Sequence, residues 1–114
     1  MPRTLRGDSM SAPRLRAETR YLRGFAKSYF GETAFTPEAE SDMRRQRLSL
    51  AGVHQAFSSG WVVSSEKEDA DAAQWVVEGE TADEQPLRLH LEVQCNLYRV
   101  CVLRVRRIAE RSND

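Results

Sequence analysis

The sequence predicts a single α+β domain, with two or three helices in its first half packed on a four-stranded antiparallel sheet in its second. Three observations carry that expectation. Up to Gly60 the apolar residues recur at mixed three- and four-residue spacing, the period of helices with one buried side. After Gly60 the pattern changes to short β-branched and aromatic runs separated by polar turns, as in strands. The 114 residues, 40% hydrophobic and 30% charged, suffice for one core without disulfide or metal support.

Residues 1–12 are expected to form a flexible extension, 13–108 the domain and 109–114 a flexible tail. The opening MPRTLRGDS has basic residues but neither the apolar core nor the small-residue cleavage site of a secretory leader, and Met10 is a second candidate start. Pro13 suits a first helical turn, and Leu15, Tyr21, Leu22, Phe25, Ala26, Tyr29 and Phe30 supply the apolar stripe of a helix stopped by Gly31. Thr36 followed by Pro37 begins a second helix, with Glu38 and Glu40 at its positive end and Arg44, Arg45 and Arg47 at its carbonyl end. Ser49 caps a short third helix that buries Leu50, Val53, Ala56 and Phe57 and closes at Ser58, Ser59 and Gly60. Strands follow at 61–64, 74–78, 87–94 and 98–106. In the third of these, Leu87, Leu89, Leu91 and Val93 alternate with Arg88, His90, Glu92 and Gln94, so one face is buried and the other offers polar groups. Trp61 and Trp75 are read as core anchors.

The charges cancel overall yet are unevenly placed. Before Tyr29, Arg3, Arg6, Arg14, Arg16, Arg20, Arg23 and Lys27 face only Asp8 and Glu18, Glu66, Glu68, Asp69 and Asp71 gather at one turn, and Arg99, Arg104, Arg106, Arg107 and Arg111 close the chain. Clustered arginines are the usual source of phosphate affinity; the plainer alternative is a solvated face. Cys95 and Cys101 match no zinc or redox spacing and read as reduced, buried small hydrophobes, so neither metal nor cofactor is expected. No apolar run approaches the roughly 20 residues of a membrane span, and the cytoplasm is the expected location.

The ordered set Phe35, Thr36, Ala39, Met43, Leu48, Ser49, Val53, Gly60, Val62, Trp75 and Gly79 resembles a family of small bacterial domains of uncharacterised function related to the RelE and BrnT type toxins, over 35–106. Glu38 stands where such domains commonly carry His, Gln46 where they carry Arg, and LRVRR at 103–107 where a strand ending in Tyr is usual.

The resemblance implies a RelE-like fold and a toxin-like, RNA-directed domain, with metal-independent ribonuclease activity as its enzymatic form. Such cleavage needs a base for the 2′-hydroxyl, a cation at the phosphate and an acid for the leaving oxygen. His90 is the candidate acid or base, Glu92 or Glu78 a base, Arg88 and Arg104 phosphate clamps, and Tyr98 a stacking or proton-donating group. Arg44, Arg45, Arg47 and Arg106 are the further nucleic-acid contacts. The plainer reading of His90 is a hydrogen-bonded surface residue, and of His54 a packed or exposed one. The implied partners are RNA or the ribosome and a small antitoxin. The alternative is a catalytically inactive descendant of the fold that binds protein, as an immunity or accessory module, through the basic helix or a sheet edge.

Overall fold

The computed structural model describes residues 14–28, 31–68 and 71–108. The expected extension, Pro13, Tyr29, Phe30, Asp69, Arg111 and the expected tail lie outside the described residues. The chain forms helix α1 (Arg16–Ala26), strand β1 (Glu32–Phe35), helices α2 (Pro37–Gln46) and α3 (Leu50–Ser59), and strands β2 (Trp61–Lys67), β3 (Ala72–Glu80), β4 (Pro86–Gln94) and β5 (Arg99–Arg107). The α+β class is as expected.

Helices α2 and α3 each begin for a local reason. The Thr36 hydroxyl accepts from the Ala39 N–H at 3.0 Å and Pro37 occupies the first turn of α2, so a donor with no helical partner is satisfied and another is absent. Ser49 does the same for α3 through the Gly52 N–H at 3.0 Å. Arg47 closes α2 in the left-handed region at φ 57°. Helix α1 ends at Ala26, shorter than the stripe through Phe30 suggested, and buries Thr19, Leu22 and Phe25.

The sheet corrects the sequence expectation. It has five strands in the order β1-β5-β4-β3-β2, and it is mixed, because β1 runs parallel to β5 with Glu32 opposite Arg99 and Phe35 opposite Val102. The remaining pairs form the expected antiparallel meander. Strand β1 has only four residues, three of them exposed, and its partner lies 67 positions away, so neither alternation nor a hairpin turn announces it. Strand β4 alternates as expected: Leu87, Leu89, Leu91 and Val93 are fully buried with Val53, Phe57, Val77, Val100, Val102 and Val105 under the helices. Trp75 belongs to this core, but Trp61 is only half-buried on the edge strand.

Two devices seat the helices. A Cβ on Gly79 would stand 2.5 Å from the Ala56 carbonyl oxygen and 3.0 Å from Gly60 Cα, so glycine there lets the end of α3 lie directly on β3. At the opposite side, β1 covers only the first part of β5, and α2 completes the edge with side chains. The Thr36 hydroxyl donates to the Leu103 carbonyl at 2.8 Å. Asp42 Oδ2 accepts from the Val105 N–H at 3.0 Å. Gln46 donates to the Val105 carbonyl at 2.9 Å and accepts from the Arg107 N–H at 2.6 Å. Four helical residues rise about 6 Å and two strand residues about 6.7 Å, so Asp42 and Gln46 match successive outward-facing groups of β5. The helix thereby substitutes for a strand and protects an edge that would otherwise invite pairing.

Candidate functional site

Among the described residues every helix lies on one side of the sheet, and no helix covers the opposite face. Its rows follow from strand register. Trp61, Glu78, Arg88 and Arg106 form one row, Ser64, Val76, His90 and Arg104 the next, and Glu66, Gln74, Glu92 and Cys101 a third. Irregularities at Val63, between Val62 and Ser64, and at Leu103, opposite the His90/Leu91 step, each insert one residue. That insertion lets Arg104 and Arg106 share the open face with Cys101 and Arg99 although Val102 and Val105 are both buried.

His90 occupies the middle of this face. Its imidazole is held below the ordinary value of 6.5, first by partial burial and then by the positive charges of Arg106, Arg88 and Arg104, so the ring is predominantly neutral near pH 7. A neutral imidazole can accept a proton, and an anion arriving among the arginines would oppose their charge and draw the imidazole value upward.

Two of those arginines are already engaged. Arg88 donates to Glu78 Oε2 from Nε at 3.2 Å and Nη2 at 2.9 Å. Arg104 donates to both oxygens of Asp42, at 2.8 and 3.0 Å. Asp42 is 3% exposed, and the Arg104 hydrogen bonds, helped by the Val105 N–H and by Arg45, outweigh burial and lower its carboxyl to about 2. Arg106 makes no ion pair among the described residues.

The predicted constellation is brought together only in part. Arg88, His90, Glu92, Arg104 and Arg106 share the open face. Tyr98 does not: it follows a 3₁₀ turn, Cys95–Leu97, in the left-handed region at φ 50°. Its ring packs edge-on against Tyr21 at 5.7 Å and Phe25 at 5.1 Å, under α1. Arg45 shares Asp42 with Arg104, Arg47 lines a groove with Arg107 and Thr81, and Arg44 lies beside Phe35 and Leu48; none of the three is in the His90 rows. His54 is an exposed helix residue whose Nε2 donates to the Ala26 carbonyl at 2.8 Å, which joins α3 to the end of α1. Both thiols are free, but Cys95 is exposed and Cys101 half-buried, against the expectation of buried cysteines, because Cys95 sits on the turn and Cys101 on the open face.

Sequence reasoning did not single out Asp42 and noted Gln46 only as standing where the resembled domains carry Arg, so it missed the roles of both; their spacing of four residues on one helix face was the available signal. It also missed what surrounds Trp61. The guanidinium carbons of Arg14 and Arg23 lie 4.3 and 4.5 Å from its ring centroid, and Arg23 is further held by the Gly60 carbonyl, at 2.9 Å from Nη2.

Among the described residues no group of three or more His, Cys, Asp or Glu is arranged to hold a metal ion, and no helix is long and apolar enough to cross a membrane. No protein-family model, curated protein or solved structure matches the chain.

Proposed function

We propose that this is an RNA-directed domain of the toxin-like kind, whose open sheet face receives RNA phosphate around His90. The observation that carries the reading is the placement of His90 opposite Arg104 with Arg88 and Arg106 in the next row, where burial and the three positive charges hold the imidazole below its ordinary value. Arginines supply the attraction for phosphate, and the imidazole is in the protonation state of a general base for a 2′-hydroxyl. With Tyr98 turned under α1, the face offers Glu92 as the nearest proton-transfer partner along β4, about 7 Å of strand from His90. Binding is therefore the stronger part of the reading and cleavage its enzymatic extension.

A second reading, an inactive descendant of the fold that binds protein as an immunity or accessory module, draws on different facts. Glu78 and Asp42 already neutralise Arg88 and Arg104, and the proposed proton donor faces the helices.

Fluorescence anisotropy with single-stranded RNA, run over a series of salt concentrations, decides between them. Binding that weakens with salt, with a slope reduced by about 0.7 in Arg106→Ser, and an imidazole value that rises on RNA addition in the NMR titration of His90, support the RNA reading. RNA breakdown and growth arrest on induced expression, both relieved by His90→Ala, extend it to an enzyme. Absence of RNA binding by the purified protein rejects it in favour of the protein-binding module.

A further inference from the structure

The cations of α1 form a second surface that the sheet face does not include. Arg16, Arg20, Arg23 and Lys27 follow one another at intervals of four, three and four residues, which puts them on one side of the helix. With Gly24 and Trp61 they line a groove of about 520 Å³. Arg23 is fixed in its wall by the Ser59 and Gly60 carbonyls and by the Trp61 ring. Arg16, Arg20 and Lys27 are exposed and make no ion pair among the described residues.

Gly24 is the second, independent sign. Glycine inside a helix costs backbone entropy, and here the chain itself gives no reason for it, since a Cβ at Gly24 would meet nothing within 4 Å. Its φ is not positive either. An exposed, unforced glycine between Arg20 and Lys27 leaves bare backbone in the lining of a cationic groove, which suits close approach by a ligand chain.

The groove also joins the sheet face. Trp61 forms one of its walls and stands in register with Glu78, Arg88 and Arg106 across the sheet. A second hollow, with Arg14, Trp61, Glu78 and Pro86 among its walls, lies between the two surfaces. Glu78 and Glu80 interrupt the positive charge there, and Arg88 neutralises Glu78.

Resting on the RNA-directed reading, we infer that the α1 groove is the second limb of one single-stranded RNA path, which leaves the His90 face around the Trp61 edge and runs along Arg16, Arg20 and Lys27. From Arg16 to Lys27 the helix rises about 16 Å, and three inter-strand spacings across the sheet add about 14 Å. At about 3.4 Å per phosphate in a stacked strand, the whole path takes about nine nucleotides. Trp61 acts as the brace for Arg14 and Arg23, both of which stand over its ring.

The test compares RNAs of about four and about sixteen nucleotides, the bounds of common single-strand site sizes, against three variants of the full chain. Arg106→Ser is expected to weaken binding of both RNAs. The combined Arg16→Ser, Arg20→Ser and Lys27→Ser variant should weaken only the longer, and lower its salt slope by about two, from three contacts at about 0.7 each. Gly24→Leu fills the groove without changing charge and has open space to fold; it should also weaken only the longer RNA. If the α1 variants leave the longer RNA untouched while Arg106→Ser weakens it, the second limb is wrong and the sheet-face reading survives. If the α1 variants weaken binding and Arg106→Ser does not, the sheet-face reading fails and the groove remains. A poly-glutamate peptide that binds the groove as tightly as RNA at the same ionic strength would assign it to an acidic protein and overturn the inference.

Discussion

Replacing Asp42 by Asn tests how much of this fold depends on one buried charge. In the native chain Asp42 accepts from Arg104, Arg45 and the Val105 N–H while only 3% exposed. Its carboxyl is lowered from an ordinary 3.8 to about 2. A depression of roughly two pH units at about 1.4 kcal/mol each is worth about 2.5 kcal/mol of native stability. The sign follows from a folded value below the unfolded one: the contribution is complete above about pH 5 and is lost progressively as the pH falls through 3.8 and then through 2. Asn keeps a single acceptor oxygen and no charge, so Asp42→Asn should lose about 2–3 kcal/mol at neutral pH. Below pH 2 both proteins present a neutral side chain and the gap should close. Urea denaturation followed by the fluorescence of buried Trp75, repeated at half-unit steps from pH 2 to 7, measures the difference. A gap that stays constant across that range, or is absent at pH 6, would refute the assignment of the stabilisation to the Asp42 carboxylate.

Four changes probe the rest of the framework. Gln46→Met removes the partners of the Val105 carbonyl and Arg107 N–H; a loss of about 1–3 kcal/mol and faster amide exchange at Arg107 are expected. Gly79→Ala drives a Cβ to within 2.5 Å of a backbone oxygen, so it should cost about 1–3 kcal/mol or more, read by thermal melting. Gly24→Ala should instead raise stability by about 1 kcal/mol, since its Cβ enters open space. His90→Gln should remove a loss of stability seen in denaturant titrations as the pH drops below 6.5: the native imidazole is held below that value, so the unfolded chain takes up the proton more readily.

The legible parts of the fold were those governed by local rules. Thr36, Pro37 and Ser49 announced two helix starts that the structure contains, and strict alternation in 87–94 gave the buried face of β4. Strand β1 was illegible because its pairing with β5 is parallel and distant, and four mostly exposed residues carry no period. Tyr98 could not be assigned to a face by counting from β4, since the 3₁₀ turn and its left-handed φ break the two-residue alternation. Trp61 reads as core from composition alone; at the sheet edge its ring meets two guanidiniums instead of aliphatic side chains. The roles of Asp42 and Gln46 needed the position of β5 against α2, which no single segment encodes. Within the candidate site, the shared face of Arg88, His90 and Glu92 was legible from strand period. The alignment of Arg104 and Arg106 with it depended on the extra residue at Leu103.

The arginine count of the sequence overstates the charge available to a polyanion, and the structure gives the reason. Arg23 is tied to backbone carbonyls and a tryptophan ring, Arg88 to Glu78, Arg99 to Glu32, and Arg104 and Arg45 to Asp42. These guanidiniums hold the fold, and a phosphate would have to compete with a carboxylate or carbonyl already in place. Along the inferred path that leaves Arg16, Arg20, Lys27 and Arg106 without such pairs among the described residues. Four contacts on a single strand correspond to a salt slope near −2.8, hence about a fiftyfold loss of affinity between 50 and 200 mM salt. A much steeper dependence would mean that the paired arginines surrender their carboxylates on binding. In that case Asp42, freed from Arg104, would lose its largest stabilising contact, and RNA binding would loosen the α2–β5 edge as it formed.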